Sequence, residues 1–404
     1  MKDLAISGGL PIRTNPFPGW PFFGDDEMAA ANGVLQSGKV NYWTGEEGRL
    51  LETEFAASVG VNFAVAVMNC SVALEAALAA VNIGRGDEVV VTPRSYFASA
   101  SCVVMRGARP VFADVDRNSQ TITADTIKKV ITEHTRAIIA VHLAGWPCEM
   151  DEIMALAKKH GLAVIEDCAQ ASGAFYKGRP LGSFGDAAAF SFCHDKIMTT
   201  GGEGGMVVTK DKDIWSKLWS YKDNGKSYDA VCNNGIKPGP SFKWLHESFG
   251  TNLRMTEIQA AIGRVQLRKM PGWIEIRRRN ADILTKAFQK IPALRVTTPP
   301  DYIFHSYYKY YVFVKLEKLK SGWDRERVIA AINAEGIPCF TGSCSEIYLE
   351  KAFTTQGLQP QNRLPVAKEL GETALMFFIH PTLSDEDMND MAKAVEKVMT
   401  AAAE

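Results

Sequence analysis

Two residues of this sequence combine the chemistry needed to hold a planar cationic ring and to attack a carbonyl group. Asp167 ends the apolar run LAVIED (162–167), and Lys196 follows the apolar run DAAAFSF (186–192). A carboxylate at the end of a parallel strand lies where such sheets bind ligands, although acids there also cap helices or form salt bridges. A lysine in a partly apolar pocket loses proton affinity and becomes a nucleophile for carbonyl groups, whereas most lysines are solvated. The pair indicates a lysine–carboxylate active site.

Hydroxyl and aromatic side chains lie next to other apolar runs. Ser71 stands at the start of a predicted helix, Ser191 ends a predicted strand, and Tyr96 lies at another strand-to-helix turn. A helix N-terminus offers free N–H groups to a phosphate, although Asn69 or Ser71 could equally be an ordinary helix cap. Tyr96 is either a core residue or a cover for a planar ring. With the acid and the lysine, these residues match the requirements of pyridoxal phosphate.

The elements that must position these residues alternate along the first half of the chain. Apolar runs predict strands at residues 63–68, 88–93, 110–116, 137–143, 162–167, 186–192 and 205–209. Segments between them predict helices that begin near residues 72, 96, 124 and 150, the last of which ends at Gly161. Strands that are apolar on both faces and joined by helices form a mainly parallel sheet, so the predicted fold class is α/β. Ligands then bind beyond the carboxyl ends of the strands.

The pattern changes after residue 210. A predicted helix from residue 211 is followed by a turn-rich loop at 224–248. We expect this loop to be functional or part of an interface, because long loops in compact domains usually are. A long helical region begins near Met255. Pro271 and Gly272 are expected to break or kink it, since proline removes a helical hydrogen bond.

A smaller α+β unit ends the chain. Its predicted elements are a strand at 307–316 and helices at 324–336 and 384–399. A chain of 404 residues is also too long for one ordinary core. We therefore expect a large domain at residues 1–270 and a small C-terminal domain at residues 271–404.

The composition excludes several classes of function. The formal net charge is −1, so the chain presents no overall basic field for nucleic acid or an anionic membrane. The eight cysteines include no C-x-x-C pair, and no pair of Cys or His has the spacing of zinc ligands. We expect reduced thiols, no metal, no secretory signal and a cytoplasmic location. No G-x-G-x-x-G follows a strand, which argues against a nicotinamide oxidoreductase.

Three stretches carry a resemblance to a known family. They are VIEDCAQASGAFYKGRPLGSFGDAAAFSF (164–192), DKIMTTGGEGGMVVT (195–209) and FGTNLRMTEIQAAIGRVQL (249–267). In order and spacing the chain resembles, over nearly its whole length, the DegT/DnrJ/EryC1/StrS family of fold-type-I pyridoxal-phosphate enzymes. The resemblance implies a sugar aminotransferase that moves an amino group from glutamate or glutamine to a keto sugar, typically a nucleotide-linked 3- or 4-keto-6-deoxy sugar.

The resemblance also implies roles for residues around the cofactor ring. Lys196 is the lysine that bonds to the cofactor and the base that shifts the proton. Asp167 pairs with the pyridinium nitrogen, and Gln170 contacts the phenolic oxygen of the ring. Tyr96 stacks on the ring face.

A second set of residues is implied to hold the cofactor phosphate. Ser71, Ser191 and the backbone around Cys70 bind it from the same subunit. Asn252 reaches it from the neighbouring subunit, so the resemblance implies a homodimer with shared active sites. The family commonly has Gly-Thr at the positions of Cys70 and Ser71, and the small side chain and the hydroxyl are kept here.

Other positions near the site receive different expectations. The family's His-Leu-Tyr-Gly is His-Leu-Ala-Gly at 142–145, which changes contacts on the substrate side. One family branch has histidine in place of the lysine and dehydrates its substrate, so Lys196 argues against that chemistry. His194 and Asp195 are expected to be scaffold, and the glycines of 201–205 to form a tight turn into the next strand beside the phosphate.

Two alternatives stay open at this point. The acceptor could be a keto cyclitol of the scyllo-inosose type, since the N-terminal GGLPIRTNPFPGWP is similar to that branch. The chain could also be a non-catalytic regulatory protein that binds pyridoxal phosphate. The complete set of Lys196, Asp167 and Gln170 argues against the second.

Overall fold

The computed structural model describes residues 3–233 and 245–404. Its strands, in chain order, are β1 (Phe63–Val67), β2 (Glu88–Val91), β3 (Arg109–Phe112), β4 (Thr135–Val141), β5 (Ala163–Asp167), β6 (Phe175–Tyr176), β7 (Arg179–Pro180), β8 (Ala187–Ser191), β9 (Gly205–Thr209), β10 (Leu294–Val296), β11 (Ile303–Phe304), β12 (Tyr310–Val314), β13 (Cys339–Phe340) and β14 (Ala374–Phe377). Its α-helices are α1 (Asp25–Ser37), α2 (Glu47–Val59), α3 (Cys70–Ala80), α4 (Ala98–Met105), α5 (Ala124–Lys128), α6 (Met150–His160), α7 (Lys212–Lys222), α8 (Glu257–Phe288), α9 (Arg325–Ala334), α10 (Lys351–Thr354), α11 (Pro365–Thr373) and α12 (Asp385–Ala402).

The seven strands predicted from apolar runs form one sheet in the order β1-β9-β8-β5-β4-β2-β3. Strand β9 is antiparallel to both neighbours, and the remaining pairs are parallel. Alternate strand residues face two separate apolar cores. Ile138 and Val164 belong to one core, and Ile139 and Ile165 to the other. The prediction of a mainly parallel α/β sheet covered on both faces is therefore confirmed.

The helices that follow the strands begin close to their predicted positions. Helix α3 begins at Cys70 because the Asn69 side chain accepts a hydrogen bond from the Val72 amide at 3.1 Å. Helix α6 ends at Gly161, which has a φ of 64° and therefore suits glycine. Helix α5 is shorter than its sequence pattern and ends at Lys128.

Helix α8 continues through Pro271, so of the predicted break or kink the break does not occur. Proline in a helix interior costs about 3 kcal/mol because one hydrogen bond is lost. Packing on both sides of the proline compensates, since α8 buries Met270 before it and Ile274 after it. The helix packs against α1, α2 and α12. The proposed domain boundary at residues 270 and 271 stays a prediction, and it lies within this helix.

The C-terminal part is an α+β unit. Its sheet is antiparallel throughout, in the order β10-β12-β14-β13, and shares an apolar core with α9, α12 and the second half of α8. None of the described helices is both long and apolar enough to span a bilayer. Of the predicted loop at 224–248, residues 234–244 lie outside the described residues.

Candidate active site

The carboxyl ends of the central strands open into a cavity of about 1070 Å³ between the large sheet and the C-terminal unit. Seven of the eight residues predicted to form the site line this cavity: Cys70, Ser71, Tyr96, Asp167, Gln170, Ser191 and Lys196. They come from four different strand ends, which sequence spacing alone does not bring together. The structure therefore places the predicted ligand edge where a parallel sheet binds ligands.

Asp167 ends β5 with only 3% of its surface exposed. Its Oδ2 accepts a hydrogen bond from Ser99 Oγ at 2.7 Å, and its Oδ1 accepts one from the Ala169 amide at 3.1 Å. Burial raises the pKa of Asp167, and the bond from Ser99 opposes this shift. Asp167 forms no salt bridge with the residues that the structure describes, so this buried carboxylate is ready to pair with a positively charged ring nitrogen.

A network behind Asp167 keeps its strand in place. The preceding residue, Glu166, is fully buried and accepts backbone hydrogen bonds from Gly182, Phe184 and Gly185 at 2.8–2.9 Å. It also lies 3.2 Å from Nε2 of the buried His142. Burial alone would lower the pKa of His142, but its hydrogen-bonding partners raise it well above the usual range. Position and orientation of Asp167 therefore rest on a fully buried polar network.

Lys196 lies opposite, in a cluster of charged and phenolic groups. Its Nζ donates a hydrogen bond to Tyr308 Oη at 3.2 Å and lies 3.7 Å from Asp195 Oδ1. Tyr308 in turn donates to Asp195 Oδ2, and Lys309 Nζ lies 3.7 Å from the same oxygen. Burial alone would raise the pKa of Asp195, but Lys196, Tyr308 and Lys309 hold it below its usual range. Asp195 is therefore an ionised group beside the reacting amine.

Asp195 was expected to be scaffold, but its carboxylate contacts Lys196, Tyr308 and Lys309. Asp195 directly precedes Lys196 in the sequence, whereas Tyr308 and Lys309 lie just before β12, more than a hundred residues later. The signal in the sequence was the polar segment HSYYKYY ahead of an apolar strand. His194, by contrast, is exposed and lies 3.5 Å from the neighbouring Cys193 thiol, a local contact as expected.

The N-terminus of α3 forms another wall of the cavity. The Asn69 side chain caps the Val72 amide, which resolves the ambiguity about the cap and leaves the Ser71 hydroxyl exposed at the cavity. Amides in the first turn lack intrahelical partners, so those of Cys70 and Ser71 suit an anion. Burial raises the pKa of the Cys70 thiol well above its usual range, so the residue offers backbone rather than a thiolate. Ser191, 5% exposed, completes this wall.

The glycine cluster allows this helix start to approach the sheet. Gly201 and Gly202 have φ values of 88° and 129°, which make the turn before β9. A Cβ on Gly205 would lie 2.6 Å from the Asn69 carbonyl carbon and 2.9 Å from the Cys70 nitrogen. The expectation of a tight turn that lies beside the helix start is confirmed.

Gln170 and Tyr96 complete the predicted ring contacts. The Gln170 Oε1 accepts a hydrogen bond from the Ala144 amide at 2.9 Å, so its side chain is held against the His-Leu-Ala-Gly turn. Ala144 has a positive φ of 57°, and its carbonyl accepts a hydrogen bond from the Tyr308 amide at 2.9 Å. This turn therefore positions both Gln170 and Tyr308. Tyr96 is 70% exposed and free to cover a ring at the cavity mouth.

Asn252 is the predicted site residue that does not line the cavity of its own chain. It is exposed, and its Oδ1 accepts a hydrogen bond from the Arg254 amide at 3.3 Å. Its backbone pairs with Asp223 in a short antiparallel bridge. Its place on the outer surface is compatible with a role in a neighbouring subunit, and the structure of one chain does not bring it to Lys196.

The residues of the cavity fit pyridoxal phosphate. A buried carboxylate suits the ring nitrogen, a helix start with unpaired amides suits the phosphate, and an amine suits the aldehyde. The two ends of the site are formed by Asp167 and Ser71, with Lys196 beside them in the same cavity. The donor set is therefore that of a pyridoxal-phosphate site.

Comparison with known proteins agrees with this chemistry. The model of the DegT/DnrJ/EryC1/StrS aminotransferase family matches residues 22–396. A solved aminotransferase from Psychrobacter cryohalolentis is 53% identical, covers 96% of this chain and 99% of its own, and superposes with a TM-score of 0.93. The UDP-N-acetyl-3-dehydro-alpha-D-glucosamine 3-aminotransferase of Acidithiobacillus ferrooxidans is 35% identical over 93% of this chain and 94% of its own. The L-glutamine:2-deoxy-scyllo-inosose aminotransferase of Streptomyces paromomycinus is 32% identical over 98% of both chains.

The match spans nearly the whole chain, and the relatives are covered over nearly their whole lengths. The fold agrees with that of the solved aminotransferase, and the buried carboxylate and the lysine lie in one cavity at the carboxyl edge of the sheet. The chain belongs to the DegT/DnrJ/EryC1/StrS aminotransferase family and is a pyridoxal-phosphate-dependent aminotransferase.

Proposed function

We propose that this enzyme transfers an amino group from glutamate or glutamine to the 3- or 4-keto carbon of a nucleotide-linked deoxy sugar. The size of the cavity carries the proposal. Its volume of about 1070 Å³ exceeds the range of about 300–1,000 Å³ that is usual for one small ligand. A cofactor beside Lys196 and a large acceptor fit into this space together. The relative from Acidithiobacillus ferrooxidans, named for a UDP-linked 3-keto sugar, supports such an acceptor.

The acceptor side of the cavity belongs to the C-terminal unit. Polar side chains that can bind sugar hydroxyls line it: Glu326, Thr341, Ser343, Cys344 and Glu350. Phe340 also lines it and has 43% of its surface exposed, which offers an aromatic face to a nucleobase or a sugar ring. This mixture of polar groups and one open aromatic surface favours a glycosidic nucleotide over a small apolar ketone.

The residues of the site have distinct proposed roles. When bound, the cofactor supplies a cationic ring that withdraws electrons from the carbon carrying the amino group. Asp167 keeps the ring nitrogen protonated, Gln170 contacts the ring oxygen, and Tyr96 covers the ring. Lys196 takes the proton from one carbon and returns it to another. Ser71, Ser191 and the Cys70 amide hold the phosphate.

Asp195 and Tyr308 support Lys196 in this proton transfer. Both groups contact the amine or its immediate partner, and Asp195 is held ionised by the surrounding cations and the phenol. The phenol directs the Nζ through a hydrogen bond, and the carboxylate lies 3.7 Å from it. The pair therefore holds the Nζ in position for the proton transfer.

We further propose that the catalytic unit is a homodimer in which Asn252 reaches the phosphate of the partner's site. Asn252 lies in an exposed segment next to Phe249, whose side chain is fully exposed at 100%. Met68, 42% exposed, is joined to this segment by its backbone bond to Leu253. Exposed apolar side chains of this size are typical of a surface covered by another subunit.

A keto cyclitol is the second candidate acceptor, because the relative from Streptomyces paromomycinus is named for 2-deoxy-scyllo-inosose and matches 98% of this chain. A cyclitol carries no nucleotide, so it would leave the aromatic face of Phe340 without a partner. Amino sugars linked to UDP, dTDP or GDP should convert the holoenzyme to the amine form of its cofactor, as seen by absorbance. Conversion by an aminocyclitol alone would replace the nucleotide-sugar proposal with the cyclitol one.

A further inference from the structure

A second chamber of about 530 Å³ adjoins the main cavity. The residues that line both spaces are His194, Asp195, Tyr308, Lys309 and Phe378. Lys196 and Lys309 lie on opposite oxygens of the Asp195 carboxylate, each at 3.7 Å. The side chamber therefore begins directly beside the reacting amine.

Arg277 of helix α8 brings a buried positive charge to this chamber, with 1% of its surface exposed. Its Nη1 donates to the Tyr308 carbonyl at 3.2 Å, whereas its Nε and Nη2 have no hydrogen-bond partner among the described residues. The Trp20 ring lies over the guanidinium, 5.2 Å from its central carbon. Buried donors without partners are costly, so the guanidinium retains the capacity to bind an acceptor.

Lys309 supplies the second cation at the boundary between the two spaces. Burial lowers its pKa to about 8, and the neighbouring Lys196 and Arg277 add to this shift against the effect of Asp195. The same surplus of positive charge acts on His380 across the chamber. Burial lowers the pKa of His380 to about 4, and Arg277 and Lys309 contribute. One carboxylate, Asp195, faces two chamber cations and Lys196, so an additional anion would relieve their repulsion.

The other walls restrict the kind of anion. They are apolar or aromatic and include Phe17, Trp20, Ile379, Leu383 and Met391. A chamber of this size has room for a short carbon chain. A planar guanidinium is matched geometrically by a carboxylate.

We propose that the side chamber is a carboxylate subsite in which Lys309 and Arg277 bind the acid group of the amino donor. This inference rests on the proposed aminotransfer from glutamate or glutamine. An acceptor sugar that carries an acid group is the other source of the same chemistry, and the test separates the two.

Binding of succinate to the holoenzyme, measured by calorimetry, tests the subsite without requiring catalysis. Succinate carries two carboxylates and has no amine or ketone, and its neutral diamide is the matched control ligand. We expect Lys309→Gln to weaken succinate binding about tenfold or more, since hydrogen bonds to charged groups are the strong ones. Lys309→Arg should restore most of the affinity for succinate. The diamide should bind the wild type and both variants with equal affinity.

Lys315→Gln is the control substitution. Lys309 directly precedes β12 and Lys315 directly follows it, and the Lys315 Nζ donates to the Pro292 carbonyl at 2.9 Å, outside the chamber. The cofactor absorbance of each variant shows that the site is intact. Equal succinate affinity in wild type and Lys309→Gln overturns the subsite. If Lys309→Gln weakens succinate binding and raises the KM for an acidic sugar but leaves the KM for glutamate unchanged, the donor assignment is overturned in favour of the acceptor. Failure of every sugar acceptor, with Lys309-dependent succinate binding intact, would refute the proposed function alone.

Discussion

The Nζ atom of Lys196 donates a hydrogen bond to the phenol oxygen of Tyr308 at 3.2 Å. The phenol donates onward to Asp195, so a lysine, a tyrosine and a carboxylate form one connected group. Tyr308 itself is held through its backbone, by Ala144 and Arg277. The amine proposed to perform the chemistry is thus oriented by a side chain from the C-terminal unit.

Tyr308→Phe removes this hydroxyl and keeps the ring. We expect kcat for amino transfer to fall by about ten- to a hundredfold, because groups that assist proton transfer contribute at about this level or above. The cofactor should still bind, since the ring and phosphate contacts are untouched. Single-turnover absorbance changes with glutamate would give the rate, and equilibrium titration would give the cofactor affinity.

Tyr310→Phe is the matched control for this change. Tyr310 lies two residues further along, and its hydroxyl contacts Thr285 at 3.1 Å, away from the cavity. Its variant should keep the wild-type rate. Equal rates in Tyr308→Phe and wild type would show that the phenol has no part in proton transfer.

Asp167→Asn should separate stability from cofactor binding. Burial raises the pKa of Asp167 in the folded protein above its ordinary value of 3.8. The group's contribution to stability is therefore fully present below pH 3.8, and it is lost as the pH rises through the folded-state pKa. The cofactor-free variant should therefore gain thermal stability relative to wild type as the pH rises from 4 to 7. The cofactor should stabilise wild type more than the variant at pH 7. Parallel melting curves at all pH values would contradict this sign.

Gly205→Ala should weaken cofactor binding although it replaces no polar side chain. The added methyl would lie 2.6–2.9 Å from backbone atoms of Asn69 and Cys70, which must then move away from the phosphate. We expect the dissociation constant for pyridoxal phosphate to rise about tenfold or more, because misplaced amides lose charge-assisted hydrogen bonds. Gly84→Ala is the control, since a Cβ there meets no atom within 4 Å. Equal affinities for both variants would show that this close approach is dispensable.

Subunit mixing tests whether Asn252 acts across a dimer. Lys196→Ala and Asn252→Ala should each be strongly impaired alone. If each site takes its lysine from one subunit and its asparagine from the other, a mixed dimer contains one native site. Random mixing should then restore about a quarter of wild-type activity. No recovery from mixtures that exchange subunits would place Asn252 outside the partner's site.

The parts of the site that were predictable are those formed within one strand–turn–helix unit. Asp167 and Ser191 each end a strand whose apolar run is visible in the sequence, and Ser71 lies where the next helix begins. Because parallel strands share a carboxyl edge, these residues had to meet. The motif resemblance then selected Lys196 from among the charged neighbours.

The parts that were missed depend on contacts between distant segments. Tyr308 contacts Lys196 from the segment before β12, and its carbonyl is held by Arg277 of helix α8, which no local pattern reveals. The predicted break at Pro271 is absent because burial on both sides of the proline outweighs the lost hydrogen bond. Trp20, whose Nε1 donates to the Lys196 carbonyl at 2.8 Å, is likewise brought to the site from the N-terminal segment.

Mapping the covalent link between protein and cofactor is the decisive test of Lys196 as the reacting amine. The holoenzyme would be reduced with borohydride, digested and analysed by mass spectrometry, with Lys196→Ala treated in parallel. We expect the reduced cofactor on the peptide that contains Lys196, and no label in the variant. A label on Lys309, or an unlabelled protein in the presence of excess cofactor, would contradict the assignment of Lys196 as the reacting amine.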